Sequence, residues 1–201
     1  MSVEDQLRDR LPGVAVLALG ARTIATPLRT DSGVDAFNDA PPEVRQRPIR
    51  VIALGTNDLW GLQLSRRQLV NDSRKLLTTL HQAFPNTVAT VWVVPAMASP
   101  IDDRTREELD WFVDFLKRET DEWNCLLTAD WPAKAIDKRD EYLQPDGVHL
   151  TVSGQQAFVQ LIIAALSEIL VSHPGVDMLS AGLLSTQTVV RRPPLLFNGH
   201  D

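Results

Sequence analysis

Short apolar runs alternate along this chain with longer stretches in which apolar residues recur every three or four positions. Residues 14–19 (VAVLAL), 50–54 (RVIAL), 88–94 (VATVWVV) and 125–128 (CLLT) are of the first kind. They are rich in β-branched residues and bounded by Gly, Pro, Asn or Asp, which predicts buried strands. Residues 68–84 are of the second kind, with Leu69, Val70, Ser73, Leu76, Leu77, Leu80 and Phe84 on one helical face. Residues 104–118 repeat the pattern with Leu109, Phe112, Phe115 and Leu116, and residues 153–170 with Phe158, Leu161, Ile162, Ala165, Leu166 and Ile169. Thr151 or Ser153 is placed to cap the last helix, and Pro174-Gly175 lies just beyond its end. Residues 4–10 read as the end of another helix. Strands alternating with helices predict an α/β domain, a parallel sheet between two helix layers. In such sheets the ligand crevice lies beyond the carboxyl ends of the strands.

Two stretches stand outside the alternation. Residues 23–48 are rich in Pro, Asp and Asn and read as a long connection near the crevice. From residue 173 onward the pattern breaks, and Arg191-Arg192-Pro193-Pro194 cannot continue a helix. The expected organisation is one domain over residues 1–172 and a tail over 173–201. The full 201 residues have room for a single large core.

Composition narrows the function classes. Hydrophobic residues at 44% and charged residues at 23% are ordinary for a globular domain. A net charge of −6, with scattered Lys and Arg, argues against nucleic acid as a partner. Cys125 is the sole cysteine, so neither an internal disulfide nor a thiolate metal cluster can form, and it reads as a buried small side chain. The 4 histidines show no HExxH spacing and predict no zinc site, and His81 reads as a surface residue. The acidic start, Met1-Ser2-Val3-Glu4-Asp5, is not a signal peptide, and no run approaches the roughly 18 apolar residues of a membrane span. As given, the chain reads as cytoplasmic, with export left open for a longer N-terminus. Oligomeric state has no signature.

The candidate chemistry sits in two segments. The run Val51-Ile52-Ala53-Leu54 feeds into Gly55-Thr56-Asn57-Asp58, delivering a neutral amide to the end of a strand. Such an amide can donate to a developing oxyanion without taking up a proton. The blander reading is turn chemistry, since Asn-Asp is common after strands. Asp146-Gly147-Val148-His149 lies just before the last helix, and its spacing places a carboxylate and an imidazole on one side of a turn. Acyl transfer needs that pair: the imidazole as base, the carboxylate to fix its tautomer. A solvated loop is again the bland alternative. Both motifs, in order and each at the end of its element, favour the functional reading.

Together these segments resemble the SGNH (GDSL-type) ester hydrolases. Gly55-Thr56-Asn57-Asp58 matches the family's third block, and Asp146-Gly147-Val148-His149-Leu150-Thr151 with Gly154 matches its fifth. Leu11-Pro12-Gly13, a strand and Gly20-Ala21-Arg22-Thr23 resemble the glycine-bearing second block. The resemblance implies a three-layer α/β/α sandwich with a flavodoxin-like parallel sheet and serine-type cleavage of an acyl or acetyl ester through an acyl-enzyme. It further implies His149 as base, Asp146 as its partner, and Asn57 with the Gly20 N–H as the oxyanion hole. By the same resemblance Trp60 and Arg22, which flank the motifs, are expected to shape a pocket for a small acylated substrate, although an aromatic is more often core than pocket. No cofactor is needed.

The family's first block, a strand ending in Gly-Asp-Ser, has no counterpart after Met1. The sequence leaves three readings open: a start placed too far downstream, a noncatalytic domain lacking the first strand, or another serine in the role. Ser2-Val3 is the weak candidate, lacking the strand that would hold it against His149. Ser32 sits in a loop, not at a strand end. The competing function is a catalytically inactive SGNH-like domain that binds an acylated ligand or a protein partner; a plain flavodoxin-like domain whose motifs coincide by chance is a third reading.

Overall fold

The computed structural model describes residues 2–11, 22–27, 31–94, 103–123 and 126–172. Strand β1 (Ile49–Ile52) pairs in parallel with β2 (Ala89–Val93), and β2 in parallel with β3 (Leu126–Ala129). The register sets Val51 against Val91 and Val91 against Leu127. The expected strand at 14–19 lies outside the described residues, as do Gly20, Cys125 and the tail at 173–201.

Alternation along β2 divides the core in two, because successive side chains of a strand leave by opposite faces. Trp92 and Val94 point to one face and pack with Leu69, Leu76 and Leu80 of α4 (Arg66–Ala83) and Phe112 and Leu116 of α5 (Asp103–Glu122). Ala89, Val91 and Val93 point to the other, against Ile162, Leu166 and Ile169 of α8 (Val152–Ser172). Leu7 of α1 (Val3–Arg10) packs on this second core. A parallel sheet with helices on both faces is the expected three-layer α/β/α arrangement. α8 has the length and composition of a membrane-crossing helix, but its Gly154, Val159, Ile162, Leu166 and Ile169 line is buried within this fold.

The helix faces read from the sequence turn to the core, with Val70, Phe84, Phe158, Leu161 and Ala165 half-buried and the rest buried. Leu69, Ser73, Leu76, Leu77 and Leu80 of α4 are buried, and so are Leu109, Phe112, Phe115 and Leu116 of α5. Ser65 caps α4 by accepting from the Gln68 N–H, which starts the helix at Arg66. For the last helix the cap is Thr151, whose hydroxyl accepts from the Gly154 N–H at 3.0 Å.

The stretch expected to be one long connection, 23–48, contains two short helices, α2 (Gly33–Asn38) and α3 (Pro42–Arg45). The signals were local: Ser32 and Asp35 form a reciprocal capping box, and Pro42 opens α3. Two further short helices, α6 (Trp131–Ile136) and α7 (Arg139–Tyr142), fill the span between β3 and the Asp146 turn. Trp131 stacks on Tyr142 at 5.8 Å and meets Phe158 of α8 edge-on at 5.2 Å, seating both helices on the second core.

Candidate active site

Strand β1 ends two residues before Leu54, whose carbonyl accepts from the buried Trp92 indole at 3.0 Å. That contact anchors the strand's exit to the centre of the sheet. The chain then turns at Gly55, whose φ of 123° is a conformation that side chains rarely adopt. Residues Asn57–Gly61 form a single π-helical turn, closed by Leu62 N–H donating to the Asn57 carbonyl at 2.9 Å. Such wide turns recur at functional sites.

The side chain of Asn57 is oriented. Its Nδ2 donates to the Arg22 carbonyl at 2.9 Å, which fixes which end of the amide faces the 22–27 segment. An Asn amide carries two N–H groups, so one remains for another acceptor. Gly20, the expected backbone donor, lies outside the described residues. Arg22 sends Nη2 to both carboxylate oxygens of Asp31, at 3.2 and 3.1 Å, and its side chain is only 10% exposed. Its guanidinium is thus tied to the protein's own carboxylate. Trp60 is 47% exposed, so the more frequent fate of a tryptophan, the core, does not apply to it.

A second carboxylate stands beside the amide. Asp58 is fully buried and accepts from the Ile24 N–H through Oδ1 and Oδ2, at 3.0 and 3.2 Å. Burial pushes its carboxyl up to about 6; the Ile24 N–H opposes the shift and the charge of Asp72 adds to it. Asp72, on α4, accepts from the Thr26 N–H at 3.1 Å and from Gln68 Nε2 at 2.8 Å. The sequence showed Asp58 within the matched motif but gave it no role, and Asp72 was hidden on a helix read for its apolar face.

Asp146 and His149 are held on a tight hairpin before α8. Leu143 and Leu150 form an antiparallel bridge, and Gln144 N–H donates to the His149 carbonyl at 2.7 Å. Gly147 makes the turn at φ 71°. Asp146 Oδ1 accepts from the N–H groups of Val148 and His149, both at 2.9 Å, while Oδ2 lies 2.6 Å from His149 Nδ1. The Val148 N–H, then the His149 ring, then the His149 N–H hold the Asp146 carboxyl down at about 2. A carboxylate at Nδ1 selects the tautomer protonated there and leaves Nε2 as the basic nitrogen. Nε2 meets no hydrogen-bond partner among the described residues. The pair is open to solvent, with side chains 66% and 40% exposed for His149 and Asp146.

Ser2 is the N-cap of α1. Its hydroxyl accepts from the Asp5 N–H and its backbone N–H donates to the Asp5 carboxylate, both at 3.1 Å, a capping box on an exposed helix end; the hydroxyl also donates to that carboxylate at 2.8 Å. Helix α1 lies against α8, the helix that follows His149 directly. Ser32 forms the same box with Asp35 but is fully buried. His81 is exposed and meets Trp123 edge-on at 6.0 Å. Among the described residues no cluster of His, Cys, Asp or Glu is arranged to hold a metal.

A carboxylate–imidazole pair on a turn before the last helix, and an amide at the exit of a parallel strand, define an α/β domain of the SGNH type. The chain belongs to the GDSL-like Lipase/Acylhydrolase family, whose sequence model matches residues 2–157. No curated protein matches it. Among solved structures it is similar to a catalytic mutant of Axe2, an acetylxylan esterase from Geobacillus stearothermophilus, with 17% identity and a TM-score of 0.57 over 84% of this chain and 81% of that one. A second Axe2 mutant, described as an acetyl-xylooligosaccharide esterase, matches with the same identity, TM-score and coverage. LAE5, an alpha/beta hydrolase enzyme from the metagenome of Lake Arreo, Spain, shares 17% identity with a TM-score of 0.49, and this chain covers 62% of its length. Likenesses at this identity speak for the fold alone.

Proposed function

We propose that this domain is a serine-type ester hydrolase acting through an acyl-enzyme on a small acylated substrate. The observation that carries the reading is the Asp146–His149 pair, with Nδ1 at 2.6 Å from a carboxylate locked by two backbone N–H groups. In this mechanism His149 Nε2 takes the proton of the attacking hydroxyl and returns it to the leaving alcohol. Asp146 keeps the ring in register and stabilises the imidazolium. Asn57, with the Gly20 N–H, receives the oxyanion, and Trp60 and Arg22 border the substrate. Ser2 is the candidate nucleophile, supported by its place at the head of α1 and the packing of α1 on α8. No metal or organic cofactor takes part in these steps.

A second reading is favoured by one specific contact: the Ser2 hydroxyl already donates to Asp5. A serine engaged in this way fits a catalytically inactive member that binds an acylated ligand or a protein partner. Incubating the full chain with a fluorophosphonate probe and a p-nitrophenyl acyl ester separates the two. Labelling of Ser2, lost in His149→Ala along with turnover, is the expected result. A chain that neither labels nor turns over would remove the hydrolase reading.

A further inference from the structure

The amide of Asn57 does not orient itself. Its acceptor, the Arg22 carbonyl, belongs to a short segment whose backbone is gripped from several sides. Ile24 N–H is held by Asp58 at 3.0 and 3.2 Å, and Thr26 N–H by Asp72 at 3.1 Å. From the opposite side, the Thr23 and Ile24 carbonyls accept from Gly33 and Val34 N–H at 2.8 and 3.1 Å. The Thr23 hydroxyl closes on the Thr26 carbonyl at 2.6 Å, and Gln68 Nε2 reaches the Thr26 hydroxyl at 3.3 Å. The Arg22 carbonyl and the N–H that Asp58 holds belong to adjacent peptide units, joined at the Thr23 Cα. The carboxylate next to Asn57 in sequence therefore grips the segment from which Asn57 takes its orientation.

We propose that Asp58 is a positioning residue for the oxyanion donor: by holding the Ile24 N–H it fixes the Arg22 carbonyl, and through it the plane of the Asn57 amide. This inference rests on the hydrolase reading for its catalytic consequence, though not for its geometry. With one amide N–H committed to Arg22, the second leaves the same nitrogen in the same plane, at a direction the protein sets. A preorganised donor stabilises developing charge without reorganising during the reaction. A neutral acceptor could close the same turn. A fully buried carboxylate is an expensive way to do so, and it gives the stronger, charge-assisted hold on the backbone.

The test has two independent readouts on the full chain. The first is the Asn57 side-chain amide pair in ¹⁵N-labelled protein, identified by its loss in Asn57→Ala. The second is kcat and KM with p-nitrophenyl acetate, corrected for folded fraction. Asp58→Ala should shift the Asn57 amide resonances and lower kcat by about 10²-fold with KM nearly unchanged. Asp58→Asn, which keeps an oxygen facing Ile24, should restore both most of the way. If Asp58→Ala does not fold, Asp58→Ser, whose hydroxyl is too short to span the contact, takes its place. Amide resonances that stay put in the Ala or Ser variant would overturn the positioning role whatever the turnover. A rise in KM at constant kcat would also overturn it. A wild-type chain without turnover, but with the amide shift and its rescue, would refute the hydrolase reading alone.

Discussion

Asp146 and Asn57 act at different moments of the proposed reaction, so their removal has different consequences. Asp146→Asn keeps an oxygen for the Val148 and His149 N–H groups, so the hairpin should survive. The new NH₂ would face Nδ1, and a donor there selects the tautomer protonated on Nε2, which cannot accept a proton. Loss of about 10⁴-fold in kcat is expected. Asn57→Ala removes one oxyanion donor and should cost about 10²- to 10³-fold. Steady-state kinetics on both variants checks the order; equal losses would contradict these roles. At this scale the sequence was legible in placement: Asp146 beside His149 on one turn, and Asn57 at the exit of a strand. It was not legible where the chemistry runs through the backbone: neither the Arg22 carbonyl that orients Asn57 nor the Ile24 N–H that Asp58 holds is encoded in a side chain's identity. Arg22 was marked for its guanidinium, yet the structure engages that group with Asp31 and gives the carbonyl to the motif.

Among the elements, α8 both follows His149 and fills the second core, and Gly154 links those tasks. A Cβ built there would lie 1.9 Å from the Tyr142 carbonyl oxygen and 2.8 Å from its carbon. The same carbonyl accepts from Thr151 N–H at 2.9 Å, and Thr151 Oγ1 donates to the Glu141 carbonyl. The first turn of α8 is thus seated on the end of α7 by backbone contact. Gly154→Ala should destabilise the domain by about 3 kcal/mol, the upper end of ordinary overpacking costs, since backbone cannot step aside like a flexible side chain. Urea unfolding measures this, and a loss within 0.5 kcal/mol, on the order of a surface substitution, would show that α7 yields freely. The apolar periods exposed α4, α5 and α8 because each buries a continuous stripe. Helices α2, α3, α6 and α7 have 4 to 6 residues, too few for a period to register. Caps and prolines marked α2, α3 and α6, whereas α7, preceded by Lys138, has neither.

For the molecule as a whole, the carboxylates of Asp146 and Asp58 are displaced in opposite directions and act in different pH windows. Asp146 has a folded pKa of about 2, below its ordinary value of 3.8, so it adds stability above that range and loses it as pH falls toward 2. The pair is largely exposed, so solvent and salt reduce that contribution. Asp58 runs the other way. Its folded pKa of about 6 lies above 3.8, so between these values the folded protein holds more protons than the unfolded chain. Its contribution is fully present below about pH 4 and is lost as pH rises through 6. At about 1.4 kcal/mol per pH unit of displacement, the ionised group costs the fold on the order of 3 kcal/mol at neutral pH. Asp58→Asn removes that titration while retaining an acceptor for Ile24. Relative to wild type, the variant should gain stability from pH 4 to pH 7, with the change centred between 4 and 6. Urea unfolding across that range measures the difference curve, in which groups unaffected by the substitution cancel. A flat curve would mean that Asp58 ionises alike in folded and unfolded chains, and that its burial carries no energetic penalty. A rising curve, with the Asn57 amide kept in place by the same substitution, would show that the charge of Asp58 costs the fold stability at neutral pH, and that an oxygen facing the Ile24 N–H is what holds the backbone behind the proposed oxyanion donor.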